Sequence, residues 1–445
     1  MSEKATRPRA GAQGGGLLRR HWRVLAVTLL LMVATSLLAA LADRGHDPEW
    51  RRELPDEVSA LSFTPDGERL LALQTRNGSF TALTALTPRG ERAWTVPLNV
   101  SYVKFAAANE AVAVATAPSP ANLTVYDALT GRPFWYAPIP RVFVTSLAMD
   151  GDLLAVALQT TPPGVQVFTR EGDGFLLQAE LPFPSGPDGT NQVRGLDVRD
   201  GTVAAGDDLG NVKALRGGAL VLEARVPYQA LALEVQPGGA GLLVGGRSLD
   251  GSGFTGGVQA LRITPGDPLG EVEWTAPVPG TVTFLDVSHP ETGTARAVAL
   301  VDAGPPILRG FPDLQVPQGW STRATRVISD LLPNRAAALA LDPKGETVAY
   351  VTAGDEVTVL SAAGGEEQWT YRAFGGTSLS YHPEGGAFAT GVRLLPDLPP
   401  NVVLYFDVEE EPLSRDLSRL LPLVLALEAL VGLGVLGVRA LGRSG

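Results

Sequence analysis

A short segment ending in tryptophan recurs along the chain, and its last piece also stands alone near the start of the folded part. The repeat is clearest at Asp127-Ala-Leu-Thr130-Gly131-Arg-Pro-Phe-Trp135. Looser copies run Leu86-Thr-Pro-Arg-Gly90-Glu-Arg-Ala-Trp94, Gly266-Asp-Pro-Leu-Gly270-Glu-Val-Glu-Trp274 and Ala363-Gly-Gly-Glu-Glu-Gln-Trp369. The isolated copy, Glu49-Trp50-Arg-Arg-Glu-Leu, has nothing of the repeat in front of it. A repeat whose final piece comes first is how a ring of blades closes, because the first strand can complete the last unit and leave no sheet edge unpaired there.

The period supports a ring. Strand-like starts fall at Ala60, Tyr102, Ser146, Arg194, Ala230, Val282, Ala338 and Ser378. Several run into proline–glycine turns: Thr64-Pro-Asp-Gly67, Gln236-Pro-Gly-Gly239, Asp342-Pro-Lys-Gly345 and His382-Pro-Glu-Gly385. Proline presets one turn dihedral and glycine accepts a positive φ, so each reads as a hairpin between a first and a second strand. Alternating third strands follow, such as Leu123-Thr-Val-Tyr126 and Val402-Val-Leu-Tyr405, and the tryptophan segment is the fourth. Four short strands per unit over residues 49–408 give the spacing of propeller blades. The expectation is an all-β, eight-bladed propeller of four-stranded antiparallel blades, its N-terminal strand closing the last blade. Seven blades would follow if two starts shared a unit; the units from Arg194 and Val282 are the least regular, and Trp320 stands far from the next start.

Tyr126-Asp127-Ala-Leu-Thr130-Gly131 through Trp135, with Gly206-Asp-Asp-Leu-Gly-Asn-Val-Lys-Ala-Leu215, resembles the blade motif of quinoprotein-type (PQQ-like) β-propellers. The Phe63-Thr-Pro-Asp-Gly67 turn is equally similar to those of WD-repeat propellers. The resemblance implies architecture far more than activity, since one fold hosts many functions.

The two ends of the chain point to a membrane. Lys4, Arg7, Arg9, Arg19, Arg20 and Arg23 precede an uncharged stretch at residues 24–42, which as a helix would span roughly 28 Å, about one bilayer core. Residues 420–438 form a second apolar stretch, followed by Arg439 and Arg443. The excess of basic residues before the first stretch places the N-terminal 1–23 in the cytoplasm. Two transmembrane helices then put the tail 439–445 there as well and the propeller outside. The small-residue ending Ala40-Leu-Ala42 also fits a cleaved signal peptide, which would leave the propeller outside on one anchor.

Composition narrows the partners. The formal net charge is −11, and the basic N-terminus makes the portion between the apolar stretches more acidic still, a surface that repels nucleic-acid backbones. There is no cysteine, hence no disulfide or thiolate metal site. In quinoprotein dehydrogenases the resemblance implies a calcium-bound quinone, acidic and amide ligands, a catalytic aspartate and often adjacent cysteines. No such constellation maps here, so no cofactor, metal ligand or catalytic residue is assigned. Asp127 and Asp207-Asp208 read as turn residues, and His289 and His382 as solvated ones.

The function expected is a non-enzymatic scaffold for protein partners in or at a cell membrane. The alternatives are a membrane-bound quinoprotein-like dehydrogenase, another propeller enzyme using the central channel, or a sensor. Long loops between second and third strands and between blades fall on the face away from the anchors, where loops commonly carry binding. The candidate partner contacts are Phe254, Arg323, Arg326, Leu394 and Leu395 in those loops, with Glu428 inside the second apolar stretch, where an ionisable side chain calls for a partner.

Overall fold

The computed structural model describes residues 48–408 except 118–120, 140–142, 188, 251–254, 265, 304–305, 324–335, 353–355, 373 and 395–400. Pro48–Glu409 form one compact unit. It contains eight four-stranded antiparallel sheets, so the blade count is eight and the seven-bladed alternative falls. The innermost strands, in chain order, are Glu57–Phe63, Tyr102–Ala107, Val144–Asp150, Val193–Arg199, Tyr228–Val235, Thr281–Val287, Ala336–Leu341 and Phe374–Tyr381. Each expected strand start lies in one of them. The stretch from Trp50 to Glu53 pairs with the third strand of the eighth blade, Trp50 opposite Tyr405 and Glu53 opposite Val402. The ring is therefore closed by the chain's own first strand.

Burial explains why the strands read as they do. The second strand of a blade is covered on both faces by neighbouring blades, so it is a near-continuous apolar run, while the third strand alternates. Leu70–Leu73, Ala111–Ala115 and Leu154–Ala157 are buried throughout. Alanines and glycines recur there because two sheets must approach closely. Outer strands keep one face in water, and Asp267–Val278 settles into a strict exposed–buried alternation after Trp274. The apolar clusters lie between successive blades: one joins Leu71 and Leu83 of the first to Val103 and Val112 of the second. The cluster that seals the ring joins Phe63 and Leu70 of the first blade to Ala389 and Val403 of the eighth.

One irregularity repeats. The pairing of first and second strands is interrupted by a register shift in every blade except the second, for example between Val193 and Gly195 and between Val282 and Phe284. A bulge bends the inner strand and increases its twist, which re-aims the side chains that follow it along the channel wall.

Connections between first and second strands and between third and fourth strands share one face of the ring, here called the turn face. The remaining loops share the other, the loop face. Among the described residues no helix is long and apolar enough to cross a membrane, and the two apolar stretches at 24–42 and 420–438 lie outside them.

Candidate functional site

Three carboxylates occupy the same place on three consecutive inner strands: Asp197, Glu234 and Asp286, each followed by a valine. Ser62, Ala340 and Ser380 hold that place in the first, seventh and eighth blades. The position is a clip between blades. Asp197 accepts a hydrogen bond of 2.8 Å from the backbone N–H of Val235, and Asp286 one of 2.8 Å from that of Leu341. Ser380 does the same for Phe63 at 3.2 Å, across the closure. A second line of clips runs nearby on the turn face, where Asp150 accepts from Asp200 N–H at 3.0 Å and Asp200 from Gly238 N–H at 2.7 Å.

Of these acids, Asp286 lines a channel cavity of about 560 Å³, together with Arg199, Phe284, His289, Leu339 and Tyr381 among others. Burial raises the carboxyl of Asp197, and raises that of Asp286 to about 6; the Leu341 N–H bond works against the latter shift. Glu234 is pushed well above the usual carboxylate range by burial first and then by Asp197 and Asp286. Arg199 is the cation that offsets this crowding. Burial lowers the imidazole of His289 to about 3, with Arg199 adding to the effect. His289 Nε2 has no partner within the described residues. Among those residues no group of three or more histidine and acidic side chains is arranged to hold a metal ion.

The loop face carries a second cavity of about 450 Å³ at the mouth of the channel, over the fourth and fifth blades. Asn191, Arg194, Asp208, Gln229 and Arg247 line it. Its floor is tied to Asp207, a fully buried carboxylate that accepts from Leu209 N–H (3.0 Å), Asn211 N–H (2.8 Å), Asn211 Nδ2 (2.7 Å) and Asn191 Nδ2 (2.8 Å). Four donors satisfy one carboxylate, and the turn from Asp207 to Asn211 is thereby fixed. Asp207 and Asp127 both sit at turns, and Asp127 accepts from Thr130 N–H at 2.7 Å within its own.

Four of the tryptophans are latches. Trp50, Trp94, Trp274 and Trp320 each donate Nε1–H to a carbonyl in the 3–4 turn of the next blade: Pro88, Ala128, Leu314 and Ala362, at 2.6–2.9 Å. Trp320, which stood out of pattern in the sequence, begins the outer strand of the sixth blade and joins this set. Glycine in the receiving turn makes room for the ring: a Cβ on Gly90, Gly131 or Gly365 would lie 2.5–2.7 Å from Trp50, Trp94 or Trp320.

The expected contact residues fare differently. Phe254, Arg326, Leu395 and Glu428 lie outside the described residues. Arg323 and Leu394 are strand residues rather than loop residues: Arg323 pairs with Ile307 and Leu394 with Phe374, each ending a strand where backbone pairing extends further than the apolar pattern implied. The histidines also correct the reading, since His289 is mostly buried and His382 packs edge-on to Phe63 at 5.2 Å. The channel acids went unremarked, although a charge inside an apolar strand at one repeated place was a visible signal. Asn191 and Arg247 carry no such signal, because only ring closure brings their loops together.

No protein-family model matches the chain, and no curated protein matches it. Solved structures do resemble it. The Dos1 propeller is 13% identical, with a TM-score of 0.57 over 81% of this chain and 95% of that one. The computationally designed Ika8 protein is 14% identical, with a TM-score of 0.54 over 82% and 98%. The Cps50 (Swd1) propeller domain of Myceliophteria thermophila is 12% identical, at 0.48 over 80% and 98%. At such identities the likeness to the first two is one of fold alone: what this chain shares with them is the β-propeller.

Proposed function

We infer that this chain is a non-enzymatic interaction scaffold, a propeller held outside a cell membrane by residues 24–42 and 420–438. The supporting observation is the closing pair. Trp50 stands opposite Tyr405, and Glu49 N–H donates to the Tyr405 carbonyl at 2.8 Å, so the propeller begins and ends at one corner of its eighth blade, on the turn face. In this reading the loop face is the one that meets partners. Propellers commonly act through such faces, with the rigid ring positioning the loops.

The enzymatic alternative draws on the channel cavity and its Asp286, Arg199 and His289. Asp286 and Asp197 are each already engaged in clipping two blades together, which favours a structural role for the acids. Calcium-dependent binding of a quinone by the purified protein would overturn the scaffold reading.

The absence of native cysteine makes location straightforward to test. A single cysteine placed at Ser185, exposed on the loop face, reports alone. Labelling of Ser185→Cys by a membrane-impermeant maleimide in intact cells is expected, and labelling only after lysis refutes an outside propeller. Mild crosslinking in native membranes, followed by identification of what co-purifies, tests the scaffold role itself.

A further inference from the structure

We propose that the cavity over the fourth and fifth blades is a recognition site for a peptide carboxylate, which names the partner chemistry of the loop face and rests on the scaffold reading. Arg194 and Arg247 both line the cavity, but their charges are answered differently. Arg194 Nε is held by Asp208 at 2.8 Å. Arg247 Nη2 meets only the neutral amide oxygen of Gln229, at 3.1 Å, and has no carboxylate partner among the described residues. On an acidic protein, a guanidinium that is exposed, oriented and unneutralised at a cavity mouth is a specific attractor for an anion.

The wall supplies a second group that awaits a ligand. Asn191 is 3% exposed, and its Nδ2 donates to Asp207 at 2.8 Å and to the Pro184 carbonyl at 2.6 Å. Those two bonds fix the amide, and its Oδ1 is left buried without a partner among the described residues. An acceptor buried just beneath the wall and a cation at the rim suit a ligand carrying a carboxylate together with an N–H donor. A peptide has both, at its C-terminus or around an aspartate or glutamate. The cavity's size suits a short segment. Leu209 and Leu231 add apolar wall against which the segment's stem can rest.

The test uses the full chain in detergent and an array of short peptides, each as free acid and as C-terminal amide, with acidic residues kept or replaced by Asn and Gln. Binding that requires a carboxylate is expected, with the amide arm and the Asn/Gln arm telling terminal from side-chain recognition. Arg247→Gln is expected to weaken it at least ten-fold, while Arg132→Gln on the turn face leaves it unchanged. Arg247 is exposed, so its variant is expected to keep the wild-type melting temperature. No peptide binding, equal binding by the neutral forms, or full binding by Arg247→Gln each overturns the proposal. Crosslinking in native membranes separates the two ideas. A partner captured equally by wild type and Arg247→Gln leaves the scaffold standing and removes the carboxylate site; capture by neither removes the scaffold.

Discussion

The indole of Trp94, on the outer strand of the first blade, lies on the backbone of Gly131 in the 3–4 turn of the second and donates to the neighbouring Ala128 carbonyl at 2.8 Å. Gly131 serves twice, because its φ of +69° also makes the turn. The interval from Gly131 to Trp135 thus joins a receiving turn to a donating ring, and Trp135 in turn abuts Gly174 of the third blade.

Gly131→Ala combines left-handed strain with overlap, its Cβ falling 2.6 Å from the Trp94 ring. The expected loss is about 2–4 kcal/mol, the sum of the two penalties. Gly217→Ala is the comparison, with φ +56° but open space around its Cβ. It should cost only about 1 kcal/mol. Denaturant melts of both variants measure the difference; equal losses would mean the latch contributes nothing.

Closure depends on Trp50, which stacks on Tyr405 with centroids 5.2 Å apart and donates to Pro88 at 2.9 Å. Trp50→Ala should cost about 2–3 kcal/mol, less than a fully buried tryptophan. It should also expose the third strand of the eighth blade to pairing with other molecules. Light scattering during a thermal ramp is expected to rise earlier than in the wild type.

The channel predicts two opposing pH effects. Asp286 is raised to about 6, so the folded state holds its proton more tightly than the unfolded chain, and its contribution is largest at low pH and is lost as pH rises from about 4 through 6. His289 is lowered to about 3, so its contribution has the other sign: full near neutrality and above, and lost as pH falls from about 6.5 through 3. Asp286→Asn keeps an acceptor for Leu341 N–H and removes the first effect. Relative to wild type, its melting temperature should gain most at pH 7 and least at pH 4. A neutral replacement, His289→Gln, should gain most at pH 4. Profiles parallel to wild type would contradict the burial argument.

Asp207→Ala removes a fully buried acceptor shared by four donors. A loss of about 3 kcal/mol is expected, since four hydrogen bonds go at once and the Asn191 amide is left buried. Faster amide exchange at Leu209 and Asn211 would place the damage in this turn.

How much of this was readable beforehand follows from how local each feature is. The blade count and closure came from strand-length patterns and from the place of Trp50, both short-range signals. Trp320 resisted because it sits at the very start of a four-residue strand, where no apolar alternation precedes it. Arg323 and Leu394 were misplaced because the end of a strand is set by backbone pairing with a distant partner, which residue type does not report. Burial of His289 follows from Pro343, whose carbonyl accepts its backbone N–H at 3.0 Å from the next blade. The arrangement of Asn191, Arg194, Gln229 and Arg247 depends on the angle between blades.

The pairing of Trp50 with Tyr405 also fixes an order of events. Trp50 is made first and can take its place only after nearly the whole domain has been made, since its partner strand is the last of the ring. Until then the eighth blade has three strands and the first blade lacks its neighbour. Seven blades can assemble by local hairpins, but the final step is a long-range capture of the chain's beginning by its end. A chain stalled or cut before Val402 would be left as an open arc with two adhesive edges.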